Sequence, residues 1–98
     1  MNLVGKISSI FTITNIGDVV VTDRNIAGPF NPNLFSSGTE LELRNSQGKR
    51  KRIHIKSAEL TLREGKDYLS FILEERIDKN EIGAFEEAWC VTSLEKQL

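Results

Sequence analysis

The run Asn15-Ile16-Gly17-Asp18-Val19-Val20-Val21-Thr22-Asp23-Arg24-Asn25-Ile26-Ala27-Gly28 constrains this chain more than any other stretch. A glycine-containing turn at Ile16-Gly17-Asp18 opens into three consecutive valines, and a second glycine closes the run. That order predicts a hairpin turn feeding a largely buried strand, with the rest of the chain packed against it or paired to it. Upstream, Leu3 to Thr14 carries Val4, Ile7, Ile10, Phe11 and Ile13 without a helix-forming stretch, which predicts a long first strand. Its alternation slips near Ser8-Ser9-Ile10, where a bulge would curve the sheet. The second strand runs from about Asp18 to Asn25.

Downstream the pattern repeats in short pieces. Gly28-Pro29-Phe30-Asn31-Pro32-Asn33 is a loop, because its prolines lack backbone donors and Gly and Asn supply turn conformations. Leu34 and Phe35 are expected to tuck this connection against the core. Ser36-Ser37-Gly38 turns into a third strand, Thr39 to Arg44, where Leu41 and Leu43 alternate with Glu40 and Glu42. After the turn Asn45-Ser46-Gln47-Gly48, Ile53 and Ile55 face one way and Arg52, His54 and Lys56 the other. Leu60 and Leu62 fall on the opposite parity, so a bulge is required near Ser57-Ala58-Glu59. Arg63-Glu64-Gly65-Lys66 turns into a fifth strand, Tyr68 to Glu74, with Leu69, Phe71 and Leu73 inward. Asp78 is placed to cap one helical turn ended by Gly83. Glu87 to Thr92 forms a last strand, with Trp89 and Val91 on one face and Ala88 and Cys90 on the other. The tail from Ser93 is frayed or a short helix.

Six strands joined by short connections predict an all-β fold, a small closed antiparallel barrel with Greek-key-like connections or a sandwich. Closure removes exposed strand edges. At 98 residues the chain is one domain, large enough to fold without metal or disulfide. The single cysteine, Cys90, points to a reducing, cytoplasmic setting and to core packing. One Cys and one His are too few for a structural zinc site. No apolar run approaches the roughly 20 residues of a membrane span, and Met1 leads into no secretory pattern.

Charge is unevenly spread. By formal count, residues 1–43 carry about −2, residues 44–66 about +6 and residues 67–98 about −5. The basic middle either steers an anionic partner or is neutralised by its flanks within the fold. Arg44, Lys49, Arg50, Lys51, Arg52 and Lys56 are the candidate phosphate contacts. The bland alternative pairs them with Glu40, Glu42 or the acidic last third. Phe11, Tyr68, Phe71 and Trp89 are candidates for stacking bases, in competition with the needs of the core. His54 has no nucleophile and acid at a recognisable spacing and is expected on the surface.

From Gly17 to Arg24 the chain resembles domain 2 of the translational GTPases, the β-barrel of the elongation factor Tu group. That family's second strand reads Gly-x-Val-Val-x-Gly-Arg or close to it, and Asp23 stands here where it usually has glycine. In the same order, Ser37-Gly38-Thr39-Glu40-Leu41-Glu42-Leu43 is similar to its Gly-Asp-x-Val-x-Ile strand. Ile55-Lys56-Ser57-Ala58-Glu59-Leu60 is similar to its Val-x-Gly-Ile-Glu-Met segment. Phe71 to Ile82 is similar to the Gly-x-x-Leu-x-Gly-Ile-x-x-x-x-Ile stretch that ends the barrel. The resemblance spans roughly residues 3 to 91 and implies a barrel of the translation-protein type. It also implies that Glu59 matches a glutamate lining a terminal-adenosine pocket, where a carboxylate accepts from a ribose 2′-hydroxyl.

No Gly-x-x-x-x-Gly-Lys-Ser/Thr loop is present, so neither GTPase activity nor a nucleotide cofactor is expected. The family's Arg-Gly near the barrel end is replaced by Ile82-Gly83-Ala84-Phe85-Glu86. The expectation is a non-enzymatic module without cofactor or membrane contact, meeting RNA or a ribosome-associated partner through the basic hairpin and Glu59. The alternative is a small inhibitor or immunity-type protein that meets a basic protein through Glu74, Glu75, Glu81, Glu86 and Glu87.

Overall fold

A computed structural model describes residues 2–23, 35, 37–81 and 83–91. The six strands are β1 (Asn2–Ile13), β2 (Gly17–Asp23), β3 (Glu40–Arg44), β4 (Arg50–Arg63), β5 (Lys66–Leu73) and β6 (Glu87–Cys90). They close into an antiparallel barrel in the order β1-β2-β5-β4-β3-β6, with β6 returning to β1. The expected all-β barrel is present, and the strand limits move by only a few residues. The proline loop at 28–33, Leu34, the expected end of β2 at Arg24-Asn25 and the tail lie outside the described residues. Among those described, no helix is long and apolar enough to cross a membrane.

The valine run does what its turn demands. Ile16 N donates to Ile13 O at 3.0 Å, and Gly17 takes φ +135°, which an L side chain rarely adopts. β2 then sits between β1 and β5, with Val20 opposite Ile10 on one side and Phe71 on the other. The β4–β5 connection is a two-residue turn: Glu64 (φ +52°) and Gly65 (φ +80°) bridge the paired Arg63 and Lys66. Positive φ at both positions matches the primed turn that follows strand twist.

Two bulges place side chains on the correct faces. β1 shifts register between Ile7 and Ser9, which lets Ile7 and Ile10 both pack on the core. β4 shifts between Ile55 and Ser57, slightly upstream of the expected site. Beyond that bulge Ala58, Leu60 and Leu62 pair with Phe71, Leu69 and Asp67. Ala58 packs on the core, whereas Leu60, opposite the buried Leu69, and Leu62, nearer the β4–β5 turn, remain 36% and 71% exposed.

The interior is filled by Val4, Val20, Leu41, Leu43, Ile53, Ile55, Leu69, Phe71 and Leu73, with Ala88 and Cys90 from β6. Phe35 meets Phe71 edge to face at 5.3 Å, as a tucked connection requires. The strap between β5 and β6 supplies the buried Ile77 and Phe85. It contains the expected capped turn, a 3-10 turn at Lys79–Glu81 in which Asp78 Oδ1 accepts from Asn80 N at 2.9 Å. Asp18 pins the strap to β2: its buried carboxylate accepts from Ile77 N and from Thr12 Oγ1, each at 2.6 Å.

Candidate binding surface

Strand pairing sorts the outward side chains into two faces. On β3, Leu41 and Leu43 point inward, so Glu40, Glu42 and Arg44 point outward beside their partners His54, Arg52 and Arg50. β6 adds Trp89 next to Glu42 and Glu87 next to Arg44. Glu42 is the hub of this charged face and is only 4% exposed. It accepts from Arg44 Nε at 2.5 Å and Arg52 Nε at 3.2 Å, with Arg50 at 4.0 Å. Burial pushes the Glu42 carboxyl up, but the Arg44 and Arg52 hydrogen bonds outweigh it and hold the group below its ordinary value. Arg44 also lies over the Trp89 ring at 4.4 Å.

The other expected phosphate contacts have acceptors too. Lys49 and Lys51 reach the strap residue Glu81 at 3.2 and 3.6 Å, and Lys49 stands 5.7 Å from the Phe85 ring centre. Lys51 follows the inward parity of Ile53, which carries it to the strap rather than to the outer face. Arg52 also meets Glu40 at 3.4 Å, and Lys56 Nζ donates to Ile16 O at 3.4 Å. Arg50 is the loosest of the cluster. Ion pairing of this hairpin by Glu40, Glu42 and the acidic last third is therefore the arrangement found.

The acidic set does not gather on one open face. Glu75 binds His54, Glu81 binds the two lysines, and Glu86 accepts from Ser46 N and Oγ at 2.9 and 3.0 Å. Those Ser46 bonds lower the Glu86 carboxyl from its ordinary value. Glu87 accepts from Trp89 Nε1 at 3.2 Å, and Glu74 is exposed while its amide donates to His54 O. Four of the five thus end on or beside the β3–β4 hairpin. The sequence blocks of opposite sign neutralise each other in space.

The second face is different in kind. Val20 and Phe71 point inward, so Phe11, Val21, Ser70 and Tyr68 turn outward across β1, β2 and β5. With Ser8, Ser9, Thr61 and Arg63 they line a groove of about 320 Å³. Glu59 pairs across to Ser70, which puts it on this same outer face. Phe11 is 42% exposed, and Ile13 continues the apolar surface toward the β1–β2 turn. Of the four aromatics considered for stacking, the fold brings Phe11 and Tyr68 together, buries Phe71, and stacks Trp89 under Arg44 on the other face.

Sequence reasoning offers Glu42 as an ion-pair partner but not as a buried hub, and it singles out neither the anchor Asp18 nor the serine and threonine hydroxyls of the groove. Outward parity could have found Ser9, Phe11, Tyr68, Ser70 and Thr61, but only with the β2–β5–β4 strand order in hand. Among the described residues no group of three or more His, Cys, Asp or Glu is arranged to hold a metal ion. No family model, curated protein or solved structure matches this chain.

Proposed function

We propose that this chain is a non-enzymatic, cytoplasmic binding module that contacts RNA of a ribosome or translation component through the Phe11–Tyr68 groove. One observation carries the reading: two partly exposed aromatics share a hydroxyl-lined groove, with a carboxylate beside it and a single cation, Arg63, in its lining. Aromatic faces stack on unpaired bases, and hydroxyls answer the hydrogen-bonding edges of those bases. Glu59 can accept from a ribose 2′-hydroxyl, which favours RNA over DNA. The resemblance to translation-factor domain 2 points the same way. The basic hairpin then contributes little direct affinity, because its cations already hold acceptors.

The test is a tagged pull-down with and without RNase, followed by titration of the recovered RNA against wild-type protein, F11A/Y68A and K49A/K51A. The reading requires RNA that F11A/Y68A releases and K49A/K51A retains. Recovery of one RNase-resistant protein and no RNA overturns it in favour of a protein-interaction module.

A further inference from the structure

The strap enters the barrel end at Glu74 and Glu75, and its first attachment is to the chain's one histidine. Glu75 grips residue 54 twice: Oε1 accepts from the His54 amide at 2.8 Å, and Oε2 lies 2.7 Å from ring Nδ1. On the other side of the ring, Nε2 faces Glu40 Oε2 at 3.7 Å. His54 O closes the set by accepting from Glu74 N at 2.8 Å.

The charged groups around the ring are unequal in sign. Glu40 comes from β3, and Glu74 and Glu75 come from the strap. Of the cations nearest in β4, Arg52 shares Glu40 with the ring and also binds Glu42, and Lys56 donates to Ile16 O. On β5, Leu73 and Ile72, which pair with the neighbouring Ile55 and Ser57, bring no charge. A protonated imidazole donates from one nitrogen to Glu75 and presents the other N–H to Glu40. A neutral one must turn a lone pair toward one of the two carboxylates.

We propose that His54 is a pH-dependent latch for the strap: its protonated ring is held between Glu75 and Glu40, and loss of that proton loosens the strap's first attachment to β4. The Glu75 hydrogen bond and the neighbouring carboxylates raise the His54 ring above its ordinary value of 6.5 against the opposing effect of desolvation. A group raised on folding contributes stability that is fully present below its unfolded value and is lost as pH rises through the folded one. The latch therefore weakens above about pH 6.5. Beyond it the strap stays anchored by Ile77, Phe85 and the Asp18 carboxylate, so the change is local fraying and not release.

A single histidine makes the test direct, because its ring signals in an NMR titration have no competitor. The wild-type ring is expected to titrate above 6.5, E75Q to bring it down toward that value, and E40Q to lower it less. Hydrogen-exchange protection of the His54 and Glu74 amides, corrected for intrinsic rate, is expected to fall several-fold across the same titration in the wild type. A ring that titrates at or below 6.5, an E75Q midpoint equal to wild type, or amide protection flat through the titration overturns the latch.

Discussion

The face built on β3, β4 and β6 and the face built on β1, β2 and β5 follow the same strand alternation and carry opposite chemistry. On the first, Glu42 is almost fully covered and three arginines approach it, so its charges answer one another. On the second, Phe11 and Ile13 stand exposed beside a groove with one lining cation. The loudest charge run in the chain is thus paired with its own acids, while a quiet set of serines and aromatics is left open. Satisfied charge stabilises and orients a surface, whereas exposed apolar groups are what a partner can still gain from by covering them.

The sharpest way to break this contrast is to remove the hub. E42A leaves Arg44 and Arg52 without their shared acceptor and is expected to cost about 2 kcal/mol, discounted from a fully buried pair because the arginines are partly exposed. Chemical denaturation measures it; a loss near zero would mean that the charged face is as open as any other. A comparable effect on the other face is expected in binding and not in folding. F11A/Y68A should weaken single-stranded RNA binding by about 2 kcal/mol, roughly thirtyfold, with little change in Tm.

Salt sharpens the comparison further. Contact through the groove should give a slope of log affinity against log salt near −0.7, about one phosphate, whereas docking on the hairpin would give a slope several times steeper. The smallest effect expected is that of R50A, within about 0.5 kcal/mol in stability, because its approach to Glu42 is long and Arg50 is exposed. Acid titration runs opposite to the His54 latch. Glu42, Glu75 and Glu86 are all lowered on folding, so the stability they contribute is present above the ordinary carboxylate value of 4.5 and is lost as pH falls through their folded values. A thermal-melt series from pH 7 to 3 in wild type and E42Q checks this, the wild type being expected to lose more.

Much of the barrel is legible in the sequence. The turn at Gly17, the β4 bulge and the inward set Leu69, Phe71 and Leu73 follow from turn residues and alternation, although Leu60 and Leu62, whose parity called for the bulge, stay exposed. The site was less legible. Tyr68 and Phe11 are separated by much of the chain, and nothing local says that β2 lies between their strands. His54 looked like an ordinary surface histidine because its partner Glu75 is distant in sequence. The charge blocks were visible, and both steering and mutual neutralisation were open readings. The approach of the strap to the hairpin, with Glu81 on Lys49 and Lys51, chose neutralisation.

What the sequence determined by itself is the strand content, the tight turns and the direction each side chain points, because these are set by φ restrictions and alternation within a few residues. The tertiary structure alone decided which outward side chains became neighbours. Closing six strands into a ring fixes contacts between residues far apart in the chain, and only that closure puts acids against the basic hairpin and leaves Phe11 and Tyr68 facing solvent together.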